Sequence, residues 1–93
     1  MDRQLTALVT GANKGIGLSI AKGLGQLGYR VWVGSRDPER GQAAVDGLKQ
    51  AGVDARLLGI DVGDEASVRQ AAKVLAAETD HLDVLVNNAG IIL

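Results

Sequence analysis

Cysteine and phenylalanine are both missing from the 93 residues, and the chain holds one proline, one tryptophan, one tyrosine and one histidine. Without cysteine there can be no disulfide, thiolate nucleophile or zinc-thiolate site. A reducing compartment is compatible with that, and the chain is read as cytoplasmic. Tyr29 and Trp32 alone supply no row of rings on which bases could stack. Neither sign of charge dominates, with 10 Lys and Arg against 11 Asp and Glu and a net charge of −1. That balance implies neither a nucleic-acid nor a membrane partner. Long hydrophobic runs are absent too. Met1-Asp2-Arg3-Gln4 leads into an apolar stretch of only about five residues, too short for a signal-peptide core or a membrane span. The reading is a soluble protein without a targeting segment.

What is present is ordinary for a globular chain: 46% hydrophobic and 23% charged residues. A chain of this length buries about 60–65% of the surface it exposes when unfolded, enough for one modest core. No linker, low-complexity tract or repeat divides residues 1–93, so a single domain is expected.

Apolar runs and helical stripes alternate along the chain. Leu5 to Thr10 reads as a buried strand stopped by Gly11. From Gly15 to Leu27 the residues Ile16, Ile20, Leu24 and Leu27 fall on one helical face, with Gly28 as the left-handed stop. Arg30 to Ser35, containing Val31, Trp32 and Val33, suits a strand. Asp37 then offers an N-cap carboxylate and Pro38 a first helical position that needs no N–H. The second helix is predicted from Pro38 to Ala51, with Ala44, Leu48 and Ala51 inward and Gly52 closing it. Ala55 to Val62 is a third strand. Asp64 caps a third helix whose face is Val68, Ala71, Ala72 and Leu75, and Leu82 to Val86 is a fourth strand.

Strands alternating with single helices specify an α/β fold with a parallel sheet, because parallel neighbours need a crossover and such crossovers are right-handed. The predicted architecture is a Rossmann-like three-layer arrangement: a four-stranded parallel sheet of order 3-2-1-4 with three helices. Winding reverses between strands 1 and 4, and open α/β sheets bind ligands outside the carboxyl ends of their strands at such a point. Gly11 and Asn87 both fall there.

The strongest chemical signal is Thr10-Gly11-Ala12-Asn13-Lys14-Gly15-Ile16-Gly17, placed between a strand and a helix. A diphosphate needs backbone N–H donors and the positive end of a helix dipole close to its oxygens, and a β-carbon in the way prevents the approach. Gly11 permits the sharp turn, Gly15 lets the backbone approach the phosphates, and Gly17 lets the helix lie close to the sheet. The strand-turn-helix context points to a dinucleotide and not merely to a loop.

This segment, with Asp61-Val62 ending the third strand and Asn87-Asn88-Ala89-Gly90 ending the fourth, resembles the amino-terminal cofactor-binding half of the short-chain dehydrogenase/reductase family. The resemblance covers the whole chain. The text from Val9 to Gly17, with Arg36-Asp37 and Gly41-Gln42-Ala43-Ala44, is similar to the NADP-dependent carbonyl reductases of that family.

Cofactor choice follows from charge. NAD-binding relatives end their second strand with an acidic residue that accepts from the ribose 2′-hydroxyl. This chain has Ser35-Arg36 there, and the resemblance places Lys14 on the other side of the same group. Two cations and a hydroxyl form an anion site, with Arg36 able to grip phosphate oxygens in two-pronged fashion, so NADP(H) is favoured. Asp37 is the competing residue, read here as a helix cap. The resemblance further implies that Asp61 and Val62 meet the adenine, the alternative for Asp61 being a strand-end carboxylate satisfied by backbone N–H groups. It implies that Asn13 and Ile16 lie in the cofactor loop, and that Asn88, Ala89 and Gly90 run beside the cofactor ribose. Asn87 is read as tying strands together.

In the family, catalysis uses a serine and a Tyr-x-x-x-Lys pair on a later helix. The chain reaches Leu93 without that region. Tyr29 is followed four residues on by Val33 and reads as a packing residue, and His81 reads as a solvated linker residue away from the crevice. No catalytic or metal-binding residue is assigned. Two readings stay open: an NADP(H)-binding half of a carbonyl or alcohol oxidoreductase, not catalytic by itself, or an autonomous or engineered minimal Rossmann module with a structural or nucleotide-binding role. Residues 82–86 form an apolar strand expected at a sheet edge, which predicts self-association through it.

Overall fold

The computed structural model describes residues 4–88. Thr6–Thr10, β1, is a run without a single exposed position, as befits a strand covered on both faces. The remaining elements are α1 (Gly15–Gln26), β2 (Arg30–Ser35), α2 (Pro38–Gln50), β3 (Ala55–Gly59), α3 (Glu65–Glu78) and β4 (Val84–Asn87). All strand pairs are parallel and the order is β3-β2-β1-β4, the arrangement predicted from the alternation of elements.

Side chains alternate across this sheet with period two. Val9, Val31, Val33 and Ala55 face one core, shared with Ala21 of α1 and Ala44, Val45 and Leu48 of α2; Tyr29 packs against it. Leu8, Trp32 and Leu58 face the other way, toward Ala71 and Leu75 of α3. Helix ends follow the expected chemistry. Asp37 and Asp64 accept from the first-turn N–H groups of α2 and α3, and Gly28 and Gly52 take left-handed φ values of 96° and 85° just beyond α1 and α2.

Four boundaries and faces differ from expectation. In α1 the buried residues are Gly17 and Ala21, whereas Ile16 and Leu27 are 72% and 77% exposed. Small residues let the helix sit low on the sheet, which turns the larger apolar residues at its ends outward. Ala51 is the exposed C-cap of α2, and Val45 takes the inward place. β3 ends at Gly59 instead of Val62: Ile60 N–H makes a last bond to Ser35 O at 3.1 Å, and Asp61 N–H then turns away to Oγ of Ser67 at 2.8 Å. β4 begins at Val84 instead of Leu82, because the Asp83 carboxylate takes over a backbone role, accepting from Thr6 N–H at 2.8 Å. No described helix is long and apolar enough to cross a membrane.

Candidate functional site

At the carboxyl end of β1, Gly11 turns the chain with a φ of 63°, and Ala12 N–H donates to Gly34 O of β2 at 3.1 Å. Gly15 opens α1 with a φ of 59°, and a β-carbon built on it meets nothing within 4 Å, so the backbone there faces open space. Gly17 is the opposite case. A β-carbon on it would stand 2.4 Å from Gly11 O and 2.7 Å from Nδ2 of Asn88, so only glycine lets the first turn of α1 lie on the loop it follows.

The three described helices differ at their amino ends. Asp37 caps α2 and Asp64 caps α3. The N-cap of α1 is Lys14, whose side chain makes no capping bond, and its first turn holds no acidic residue. Early helical N–H groups have no intrahelical acceptor, and the helix dipole adds positive potential at the same place. Beside the open space at Gly15, that end is suited to an anion.

On the β4 side, Thr10 Oγ1 donates to Oδ1 of Asn87 at 3.1 Å and accepts from Asn88 N–H at 3.0 Å. Asn88 Nδ2 donates to Gly11 O at 3.3 Å. Asn87 thus ties β4 to β1, and Asn88 is engaged in bracing the glycine loop. Sequence reasoning missed Thr10 as the hub of this tie. Its one signal was a hydroxyl at the last strand position before the glycine. Ala89 and Gly90 lie outside the described residues.

On the β2 and β3 side, Gly11, Asn13, Arg36, Ile60, Asp61 and Val62 line a cleft of about 480 Å³. A hollow of about 330 Å³ lies beside Ser35, Arg36, Pro38 and Asp61. Arg36 and Lys14 are both exposed. Ser35 is buried, and its hydroxyl donates to Asp37 O at 2.9 Å and accepts from Asp37 N–H at 3.2 Å, a hook that spans Arg36. Asp37 itself accepts from Glu39 N–H at 3.0 Å and Arg40 N–H at 3.1 Å, and pairs with Arg40 at 3.6 Å. One oxygen of Asp61 accepts from Gly63 N–H at 3.0 Å, so this carboxylate has a local structural bond as well as a place in the cleft wall. Ile16 is exposed beside the loop, and Val62 is exposed at the cleft rim.

His81 stands at the other end of the sheet, as expected, but it is no free linker residue: its ring nitrogens bond to Gln4, Thr6 and Asp80.

Residues 5–93 match the family described as short chain dehydrogenase. Carbonyl reductase (NADPH) 1 of Homo sapiens is 49% identical over 86 residues, a match covering 91% of this chain and 31% of that protein. A metagenomic short-chain oxidoreductase solved in complex with NADP superposes with a TM-score of 0.86 at 39% identity, covering 94% of this chain and 39% of its own. Actinorhodin polyketide ketoreductase solved with NADPH gives a TM-score of 0.89 at 40% identity, covering 95% and 34%. The chain therefore spans about a third of the length of these proteins.

Proposed function

The chain belongs to the short-chain dehydrogenase family, and from that premise we propose that its carboxyl-end cleft binds NADP(H). The observation that carries this reading is the uncapped amino end of α1, opening on free space at Gly15 while both other described helices are capped by aspartate. A diphosphate supplies the missing negative partner. Gly11, Asn13, Ile16 and Gly17 build the turn around it. Lys14 and Arg36 are two exposed cations near the corner where an adenosine 2′-phosphate would lie, and Asp37 is committed to the α2 cap and its pairing with Arg40. That removes the acidic residue that would select a 2′-hydroxyl. Asp61 and Val62 would border the adenine, and Asn88, Ala89 and Gly90 the ribose. Carbonyl reductase (NADPH) 1 bears NADPH in its name, and the two solved relatives were determined with NADP and NADPH, which supports the same choice.

Bound NADPH would supply a hydride, and the part played by these residues is to hold and orient its adenosine and diphosphate. We assign the chain to an NADP-dependent carbonyl or alcohol oxidoreductase, with the chain itself binding and not turning over, since no Tyr-x-x-x-Lys occurs in it. We place it in the cytoplasm. We further assign self-association to β4, which forms one edge of the sheet and exposes 61% of Leu85.

Titration with NADPH and NADH at low salt tests the cofactor reading. Dissociation constants of ~0.1–1 mM for NADPH, about 4–5.5 kcal/mol, are expected, with NADH at least ~10-fold weaker through loss of the charge-assisted contacts. Equal affinities, or none for either, would overturn it; the latter would leave the minimal structural module.

A further inference from the structure

His81 lies in the link between α3 and β4, at the amino ends of the strands, with a side chain only 20% exposed. Its Nε2 sits 2.9 Å from the carbonyl of Gln4, 3.3 Å from Oδ2 of Asp83 and 3.3 Å from Oγ1 of Thr6. Its Nδ1 is 2.6 Å from Oδ1 of Asp80. Carbonyl and carboxylate oxygens only accept, and a neutral imidazole donates from one nitrogen alone. The Nε2–H tautomer turns the Nδ1 lone pair toward Asp80, and the Nδ1–H tautomer turns the Nε2 lone pair toward the nearer Gln4 carbonyl and the Asp83 carboxylate, with the more distant Thr6 hydroxyl able to donate to it, whereas the imidazolium donates on both sides.

We propose that His81 is a protonation-dependent clasp that holds the amino end of β4 to β1. Among the described residues, the groups facing the ring are the Gln4 carbonyl and Thr6 hydroxyl from the β1 side, Asp80 from the link and Asp83 from the approach to β4. Both charged groups are carboxylates and favour the cation. Asp83 is the stronger influence: its side chain is 17% exposed against 96% for Asp80, whose field water screens. Asp83 also cannot withdraw, because the same Oδ2 accepts from Thr6 N–H at 2.8 Å and its own N–H donates to Thr6 O at 2.8 Å. Thr79 Oγ1 donates to the His81 carbonyl at 2.9 Å and fixes the link backbone. Among the described residues β1 is the one strand that pairs with β4, which is bracketed by this clasp at one end and by the Thr10, Asn87 and Asn88 tie at the other.

The linkage has a definite sign. A histidine that binds its proton more tightly when folded contributes stability in full below its unfolded value of about 6.5, and that contribution disappears as pH rises through the folded midpoint. His81 is the single histidine in the sequence, so its imidazole proton resonance identifies itself in a titration followed by NMR. The midpoint in the folded chain should lie above about 7, and Asp80→Asn should lower it. The urea midpoint should fall between about pH 6 and pH 8.5, and that fall should shrink in His81→Gln. Other groups titrating in the same window are common to both proteins, so the difference isolates the ring. A midpoint at or below about 6.5, or an equal fall in His81→Gln, would overturn the clasp. Neither measurement involves a nucleotide, so this inference stands or falls apart from the cofactor reading.

Discussion

Asn88 donates its side-chain amide to the carbonyl of Gly11 at 3.3 Å, across 77 positions of sequence, and a β-carbon on Gly17 would intrude on both partners. The end of β4, the glycine loop and the first turn of α1 are thereby one packed unit. Gly17→Ala should gain up to ~1 kcal/mol of helix propensity, but a clash with backbone at 2.4 Å cannot be relieved by a side-chain rotation. We expect a net loss of ~1–3 kcal/mol in urea unfolding and weaker NADPH binding. Gly23→Ala is the control: it lies in the same helix, its β-carbon meets nothing within 4 Å, and it should be neutral or stabilising by ~0.5–1 kcal/mol. Similar losses for both would show that the close approach at Gly17 is not what matters.

The hook from Ser35 to Asp37 places the intervening Arg36 on a fixed turn. Arg36→Asp should weaken NADPH binding at least ~10-fold, through a lost charge-assisted bond and a new like charge, and leave NADH binding unchanged or improved. Ser35→Ala should weaken NADPH binding by ~3–10-fold if its hydroxyl serves to orient the arginine, about the worth of one hydrogen bond. In an Arg36→Met background the Ser35→Ala effect should then vanish. Additive effects would make Ser35 a direct ligand of the phosphate.

The glycine spacing was legible in the sequence because anion binding at a helix start demands particular residue types at fixed local separations, and the strand order followed from parallel crossovers. The inward face of α1 was not, since hydrophobic periodicity scores Ile16 and Leu27 highly and is blind to Gly17 and Ala21, which are buried because they are small. The Thr10 hub and the Gln4 and Thr6 oxygens around His81 depend on where atoms distant in sequence arrive, whereas the Ser35 hook is local and depends on the turn that the chain takes after β2. The expected β3 ran three residues too far and the expected β4 began two too early and ended one short, because Val62 and Leu82 are apolar, while Asp61 N–H had already turned to Ser67 and the Asp83 carboxylate had taken the Thr6 N–H.

Acid should loosen the amino-end corner of β2 and β3. Burial alone would raise the Asp54 carboxyl, but it is outweighed by Arg30, whose Nε donates at 3.0 Å, with help from Gln4 and Arg56, and the group titrates below its ordinary range. A carboxyl lowered by folding adds stability above its unfolded value of about 3.9, and loses it as pH falls through the lower folded value. Its side chain is 36% exposed, so less than about 1 kcal/mol is at stake. Urea midpoints of wild type and Asp54→Asn should differ at pH 6, and the gap should begin to close near about pH 4 and vanish only once pH has passed below the lower folded value. A gap that persists undiminished into acid would mean that the substitution acts through packing and not through charge.

The two edges of the sheet are not equally protected. β3 carries Arg56 near its centre, a charge of the kind that discourages pairing with another chain. Val84–Asn87 of β4 carries none, and Asp83 stands outside the strand with its carboxylate turned to Thr6. On the face toward α3, Leu85 lies opposite Leu8 in register and remains 61% exposed, forming with Leu58, Val68 and Leu75 a groove of about 360 Å³ that α3 leaves open. An edge that no described strand pairs, beside an apolar groove, favours a second copy of the chain, most simply with the two β4 strands antiparallel about a twofold axis. Sedimentation should show a concentration-dependent dimer at high micromolar protein. Leu85→Lys should shift it to monomer without unfolding the domain, because that side chain already meets solvent, whereas Gln42→Lys on exposed α2 should leave it intact. A monomer throughout the concentration series, or a dimer indifferent to Leu85→Lys, would remove β4 as the contact surface.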